Sequence, residues 1–229
     1  MSESKHCTLY HYPLCPFSRT VRLCLFEKNI SYVMVFEKPW ERRIDFLRLN
    51  PAGSVPVFED EDGTILSDYR SICEYLNETR VGLELFGDNP KFRAEVRRLL
   101  GWFDMLFYTE VYQTLVVNKA LKKLQNGTEP NATLIRIGRQ NLKRHLSYLE
   151  WLCERRSWLA GDGHAPSLAD LNVAAHLSVL DYLGEINWDF YPEMKTWYAK
   201  IKSRPSFQYL LSDRLAGIIP PDNYSNLDF

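Results

Sequence analysis

Residues 7–29 read CTLYHYPLCPFSRTVRLCLFEKN, and this stretch decides the fold. Residues 7–11 alternate apolar and polar side chains, as a half-buried strand does. Pro13 and Pro16 then bracket Cys15 in a turn. Beyond it Val21, Leu23, Leu25 and Phe26 lie along a helix that ends near Lys28, with Asn29 suited to the left-handed residue that closes a helix. A strand running into a cysteine loop and then a helix raises one question. Cys15 is either a working nucleophile or a small residue filling the loop.

The segments that follow extend the pattern. SYVMVF (31–36) is rich in strand formers. ERRIDFLRLN carries Ile44, Phe46, Leu47 and Leu49 on a short helix stopped at Asn50-Pro51. VPVFED is a strand, D-G-T at 62–64 a hairpin turn, and TILS its return. DYRSICEYLNE then forms a helix with Ile72, Tyr75 and Leu76 on one face. The order β-α-β-α-β-β-α is that of a thioredoxin-like mixed sheet with flanking helices. Pro56 cannot serve in a central ladder. It opens its strand either as an ordinary trans proline or as a cis proline turning beside the cysteine loop.

From about Asn89 the periodicity is helical throughout. Phe92, Val96, Leu99, Leu100, Phe103, Phe107 and Val111 fit a 3.6-residue period. Gly127 and Pro130 interrupt, and Leu134, Ile137, Leu142, Leu146 and Leu149 begin another helix. Residues 167–184 and 192–202 form two more. The reading is α/β followed by all-α: domain 1–84 with the thioredoxin-like sheet, and domain 85–229, all-helical with an apolar tail.

Composition limits the function. A chain of 229 residues, 45% hydrophobic, can bury a sizeable core. A net charge of −1 offers no global attraction for nucleic acid. No apolar stretch approaches the roughly 20 residues that span a bilayer, and the polar start MSESKHCTLY lacks a signal-peptide core. The expectation is a cytoplasmic protein without a membrane or nucleic-acid partner. Five cysteines at 7, 15, 24, 73 and 153 form no zinc spacing and no evident disulfide frame, so no metal is expected. Residues 91–156 hold 13 Lys/Arg against 6 Asp/Glu, an excess of +7. That excess is either solvated helix surface or a field for an acidic partner.

Five motifs in order resemble the glutathione S-transferase (GST) superfamily over essentially the whole chain: CPFSRTVR, NPAGSVPVF, LSDYRSICEYL, WLAGDGHAPSLADL and YPEMKTWYAKIKSRPSF. Ser167 and Asp170 match the family's helix-capping box. The resemblance implies a GST fold and a homodimer. The cysteine loop is most like that of omega-type GSTs, where Cys15 would be the nucleophile. A helix N-terminus favours the thiolate. With Ser18 at the fourth position, the expected product is a mixed disulfide with glutathione. In the family, the residue before the cis proline, here Val55 before Pro56, pairs its backbone with glutathione. A Glu-Ser pair, here Asp68-Tyr69, holds the γ-glutamyl end. Tyr69 departs from that pattern, and losing such hydrogen bonds costs a few kcal/mol, about two orders of magnitude in affinity. Cys15, Val55, Pro56, Asp68 and Tyr69 therefore read as a remnant glutathione site.

Within the superfamily, PLCPFSRTVRLCLFEK, EKPWERR and the tail RLAGIIPPDNYSNLDF resemble a branch of GST-like alphaproteobacterial proteins. These bind the tubulin-like division polymer FtsZ without demonstrated glutathione chemistry. The branch implies an FtsZ partner, a place at the division site, and no cofactor. Trp40, flanked by Arg42 and Arg43, reads as an aromatic anchor, as a lid, or as packing onto its own domain. The tail, ending Leu227-Asp228-Phe229, is too apolar for a solvated end. It should dock on the body or, with Trp40, border one partner surface. The competing readings are an omega-like thiol transferase using Cys15 and a binding module for a small thiol or peptide.

Overall fold

A computed structural model describes residues 6–161 and 163–227. The chain divides into two compact units, Met1–Leu85 and Phe86–Phe229.

The first unit is built on a four-stranded mixed sheet of order β2-β1-β3-β4. Its strands are β1 (Cys7–His11), β2 (Tyr32–Phe36), β3 (Val57–Glu59) and β4 (Ile65–Ser67). β1 runs parallel to β2 and antiparallel to β3, and β3 forms an antiparallel hairpin with β4. Burial follows from that order. Leu9, Val57 and Phe58 on the two central strands are fully buried. On the edge strand β2, Val33, Met34 and Phe36 stand about half exposed, at 52%, 49% and 50%.

Three helices flank the sheet: α1 (Pro16–Glu27), α2 (Ile44–Leu49) and α3 (Tyr69–Thr79). α1 begins at a proline whose fixed φ suits a first helical residue. It ends at Lys28, followed by Asn29 at φ 55°, the left-handed closure expected of it. Val21, Leu23, Cys24 and Leu25 bury its inner face, and Ile72, Cys73 and Leu76 do the same for α3. The two helices pack on each other. α2 buries only Phe46, whose ring meets Tyr10 of β1 at 5.8 Å.

The buried carboxylate Asp60, at the end of β3, ties this unit together. It accepts from Arg80 Nη2 at 2.7 and 2.8 Å, from the Tyr75 hydroxyl at 2.6 Å and from the Glu61 N–H at 2.9 Å. A buried charge needs such partners to repay its lost hydration.

The second unit is helical, with α4 (Pro90–Gly101), α5 (Lys122–Asn126), α6 (Ala132–Cys153), α7 (Leu168–Tyr182), α8 (Pro192–Lys202) and α9 (Pro205–Leu211). Asn89 and Asn131 cap α4 and α6, accepting from the Phe92 and Leu134 N–H groups at 2.8 and 3.0 Å. α7 is buried on every side, as an apolar helix without a polar face must be. Its capping box is formed. Asp170 accepts from the Ser167 N–H and hydroxyl at 2.9 and 2.8 Å, and also from the Leu159 N–H and Trp197 Nε1.

Two features depart from the sequence reading. The 3.6-residue period expected through Val111 stops at α4. Trp102–Leu121 continues the same rod as a π-helix. Its buried apolar positions, Phe103, Phe107, Val111-Tyr112, Leu115-Val116 and Ala120-Leu121, recur every four to five residues, the spacing of a wider turn. The second departure is α9, which the periodicity did not separate because it is only seven residues long.

The tail docks on its own unit. The Tyr224 ring is buried, meets Tyr182 edge-on at 5.1 Å, and its hydroxyl donates to the Leu210 carbonyl at 3.2 Å. The buried Lys202 ammonium lies 5.9 Å from that ring and donates to the Asn223 carbonyl at 3.4 Å. Ile219 and Leu227 remain exposed, while Asp228 and Phe229 lie outside the described residues.

Candidate functional site

The loop between β1 and α1 is closed by the Cys15 N–H donating to the Tyr12 carbonyl at 2.9 Å. The Cys15 carbonyl accepts the first α1 bond, from the Arg19 N–H at 3.1 Å, so Cys15 is the N-cap residue. Ser18 turns inward and its hydroxyl oxygen accepts from the Tyr12 N–H. The sulfur therefore sits over the first turn of α1. It reaches the Val55 carbonyl, donating its proton across 3.6 Å. Val55–Pro56 is a cis peptide. Cys15, Val55 and Pro56, separated in sequence by some forty residues, thus meet at one place.

The chemistry of Cys15 corrects one expectation. Desolvation by burial pushes its thiol above the ordinary cysteine value. Hydrogen bonds from Ser18 and Phe17 and the nearby Arg19 charge oppose this without overcoming it. The helix N-terminus alone predicts a thiolate. Desolvation of this partly buried sulfur works against the helix N-terminus and favours the thiol, whose sulfur lies 3.6 Å from the Val55 carbonyl.

Asp68 and Tyr69 open α3. Asp68 is exposed and lies at φ 73°, ψ 127°, a backbone conformation that costs a non-glycine residue on the order of 1–3 kcal/mol. Its carboxylate caps the helix, accepting from the Ser71 N–H and hydroxyl at 3.4 Å each. Tyr69 turns into the unit and is buried at 3% exposure. Its ring stacks on Phe17, with centroids 5.1 Å apart and planes 12° from parallel. An aromatic pair thus stands beside the cysteine loop. Sequence reasoning missed Phe17, the third residue of C-P-F-S, because nothing local pairs it with a residue far along the chain.

Trp40 lies in a 3₁₀ turn, Pro39–Glu41, after β2. It is half-buried, and its ring meets Tyr12 edge-on at 5.0 Å. Tyr12 in turn contacts Phe36 at 5.5 Å. Trp40 is therefore seated on the cysteine loop with part of its surface in solvent. Tyr12, buried and shared between the loop and Trp40, is a second residue that the sequence reading did not single out.

The two arginines behave differently. Arg42 closes the 3₁₀ turn in the left-handed region at φ 47°. It lies over Gly53, where a Cβ would come within 3.0 Å of its Nη1. Gly53 itself sits at φ 68°, so that loop needs glycine for both its backbone and its clearance. Arg43 grips the buried carboxylate of Glu37 with Nη2 at 2.5 Å and Nε at 3.2 Å. Glu37 is 1% exposed. Arg43 thus commits two of its N–H groups to Glu37, while its side chain stays about half exposed. Leu227 lies in the second unit and Trp40 in the first.

The basic excess of the helical unit is partly neutralised within it. Arg98 and Arg156 pair with Glu95, Lys119 and Arg139 with Glu185, and Arg144 with Glu110. Among the described residues no helix is long and apolar enough to cross a membrane.

A sheet of this order, a cysteine at the first helix cap, a cis proline facing it and a helical second unit define a class. A family model of the glutathione S-transferase N-terminal domain matches residues 14–79, and one of the C-terminal domain matches residues 104–205. The chain belongs to the glutathione S-transferase family. It is 43% identical over 225 residues to FtsZ-localized protein A of Caulobacter vibrioides, a match covering 97% of this chain and 98% of that one. Among solved structures it is similar to a glutathione S-transferase from Rhodospirillum rubrum F11, with 46% identity, a TM-score of 0.94, and 97% and 100% of the two chains covered. It is also similar to FzlA from C. crescentus, with 43% identity, a TM-score of 0.93, and 98% and 100% covered.

Proposed function

We propose that this GST-fold protein binds FtsZ polymers and acts in cell division through that contact rather than through glutathione transfer. The observation that carries the reading is the 43% identity, over nearly the full length of both chains, to a protein named for its localisation with FtsZ. Two features of the cysteine site support it. Tyr69, at the sequence position matched to the family's small serine, is packed on Phe17 and supplies no small hydroxyl for the γ-glutamyl end of glutathione. Cys15 is held as a neutral thiol against Val55.

In this reading Trp40, Arg42 and Arg43 form one part of the contact surface, and the chain end, Leu227-Asp228-Phe229, forms another. Trp40 is suited to the role because it is seated on Tyr12 yet partly open, which lowers the entropy lost on binding. The protein acts as a homodimer, presenting each element twice along a repeating polymer, so that modest contacts add through avidity. It works in the cytoplasm and concentrates at the division site.

The test is quantitative co-sedimentation with polymerised FtsZ, run beside a melting-temperature titration with millimolar glutathione. Co-pelleting with polymer, and no change in Tm with glutathione, is the expected pair of results. Absence of co-pelleting together with a glutathione-dependent rise in Tm would overturn this reading in favour of a glutathione-binding protein.

A further inference from the structure

Two of the five cysteines, all free thiols, lie in contact. Cys24 is in the third turn of α1 and Cys73 in the second turn of α3. Both are fully buried, and the Cys73 thiol donates to Cys24 Sγ across 3.3 Å. The two residues are 49 positions apart in the chain, so the contact is made only by folding. We propose that Cys24 and Cys73 are a redox-active dithiol that closes to an internal disulfide when the protein meets a small peroxide.

The geometry suits the reaction. The two sulfurs, 3.3 Å apart, must close by about 1.3 Å to reach the disulfide bond length of about 2.0 Å, which a shift of the two side chains and helices supplies. The step balances. Hydrogen peroxide oxidises one thiol to a sulfenic acid and one water leaves. The second thiol attacks that sulfur, an S–S bond forms, and its proton departs with the hydroxyl as a second water. Peroxide is reduced by two electrons and the thiol pair is oxidised by two. In a reducing compartment the resting form is the dithiol, and the bond is transient.

The other cysteines lack such an outcome. Cys15 has Ser18, not a second cysteine, at the fourth position of its motif, so oxidation there stops at a sulfenic acid or a mixed disulfide. Cys7 donates to Asp60 at 3.3 Å, and burial with that carboxylate pushes its thiol up to about 11. Cys153 lies in the second unit, whereas both members of the pair lie in the first.

The pair is also placed to matter. α1 starts at the cysteine loop and carries Phe17; α3 starts at Tyr69. A bond between Cys24 and Cys73 fastens the two helices whose first turns hold the Phe17–Tyr69 stack. It closes a long loop in the unfolded chain, so the oxidised form resists unfolding more than the reduced form.

The experiment treats the native full-length protein with hydrogen peroxide, blocks remaining thiols with N-ethylmaleimide, and maps peptides by mass spectrometry. The expected result is a linked Cys24–Cys73 peptide, the loss of two titratable thiols beyond any lost at Cys15, and a Tm raised by at least about 5 °C that dithiothreitol reverses. Cys73→Ala should abolish the linked peptide and the reversible Tm rise. Should that variant fail to fold, the wild-type peptide map and reversal by dithiothreitol still decide. Oxidation confined to Cys15, linkage between any other two cysteines, or a Cys24–Cys73 link that forms only in urea would overturn the proposal.

Discussion

The Tyr69 ring lies parallel to that of Phe17, at 5.1 Å and 12°, so the first residue of α3 is locked to the first turn of α1. Tyr69 is thus a structural member of the packing between α1 and α3. It cannot swing out to admit a ligand without giving up an aromatic pair worth about 0.5–1.5 kcal/mol beyond its buried area.

Glutathione at millimolar concentration should leave the wild-type Tm unchanged, whereas a ligand at a hundred times its Kd adds ~2.7 kcal/mol. Tyr69→Ser should lower stability by about 3–5 kcal/mol through the cavity it leaves. It should also restore a measurable glutathione-dependent rise in Tm. A clear rise in the wild type, abolished by substitution at Val55-Pro56, would show that Tyr69 does not block the site.

Cys15→Ser should preserve the fold and FtsZ co-sedimentation, because serine is nearly isosteric and can still donate to the Val55 carbonyl. Circular dichroism and pelleting check both. If the folded variant failed to support division in cells, thiol chemistry at Cys15 would become the function to explain.

Trp40→Ala and removal of Leu227-Asp228-Phe229 should each weaken polymer binding at least about tenfold, roughly 1.4 kcal/mol. The tail deletion should leave Tm unchanged, since the buried anchor of the tail is Tyr224. Tyr224→Ala, by contrast, should cost about 3–5 kcal/mol of stability. Wild-type affinity in both folded variants would remove Trp40 and the chain end from the contact surface. Raising the salt should weaken binding through the remaining basic surface, because the Debye length is only ~8 Å at physiological ionic strength.

Acid should loosen the first unit through Asp60. Desolvation raises its pKa, but the Tyr75, Glu61 and Cys7 hydrogen bonds and the Arg80 charge together hold it below the usual carboxylate value. A depressed folded-state pKa means stability that is complete above the unfolded value of about 3.9 and is lost as pH falls through the folded one. Asp60→Asn should therefore cost about 2 kcal/mol at pH 7. The Tm gap between variant and wild type should narrow below about pH 4. A gap that does not change between pH 7 and pH 3 would assign the loss to packing alone.

Much of this molecule is legible in its sequence, for local reasons. Strand alternation, Pro16 at the first helical position, Asn29 beyond the end of α1 and the Ser167–Asp170 box all act within a few residues. What is not legible depends on distance or burial. The Cys15 pKa has its sign set by desolvation, which no neighbouring residue announces. Arg43 gives no sign in the sequence that part of its charge is directed at Glu37, whose burial only the fold creates. The Phe17–Tyr69 stack and the Cys24–Cys73 contact join α1 to α3 across half the unit. The π-wound segment is the exception. Its spacing of four to five is in the sequence, but Phe103, Phe107 and Val111 fit a 3.6-residue template closely enough to hide it.

The edge strand β2 has a consequence for handling the protein. Its outer side carries no strand partner among the described residues, and Val33, Met34 and Phe36 are half in solvent. A short apolar edge of this kind is a template for adding another strand. The protein, whole or as its first unit alone, should therefore be prone to β-rich association at high concentration through this edge. Val33→Lys or Met34→Lys should act as a gatekeeper and suppress it.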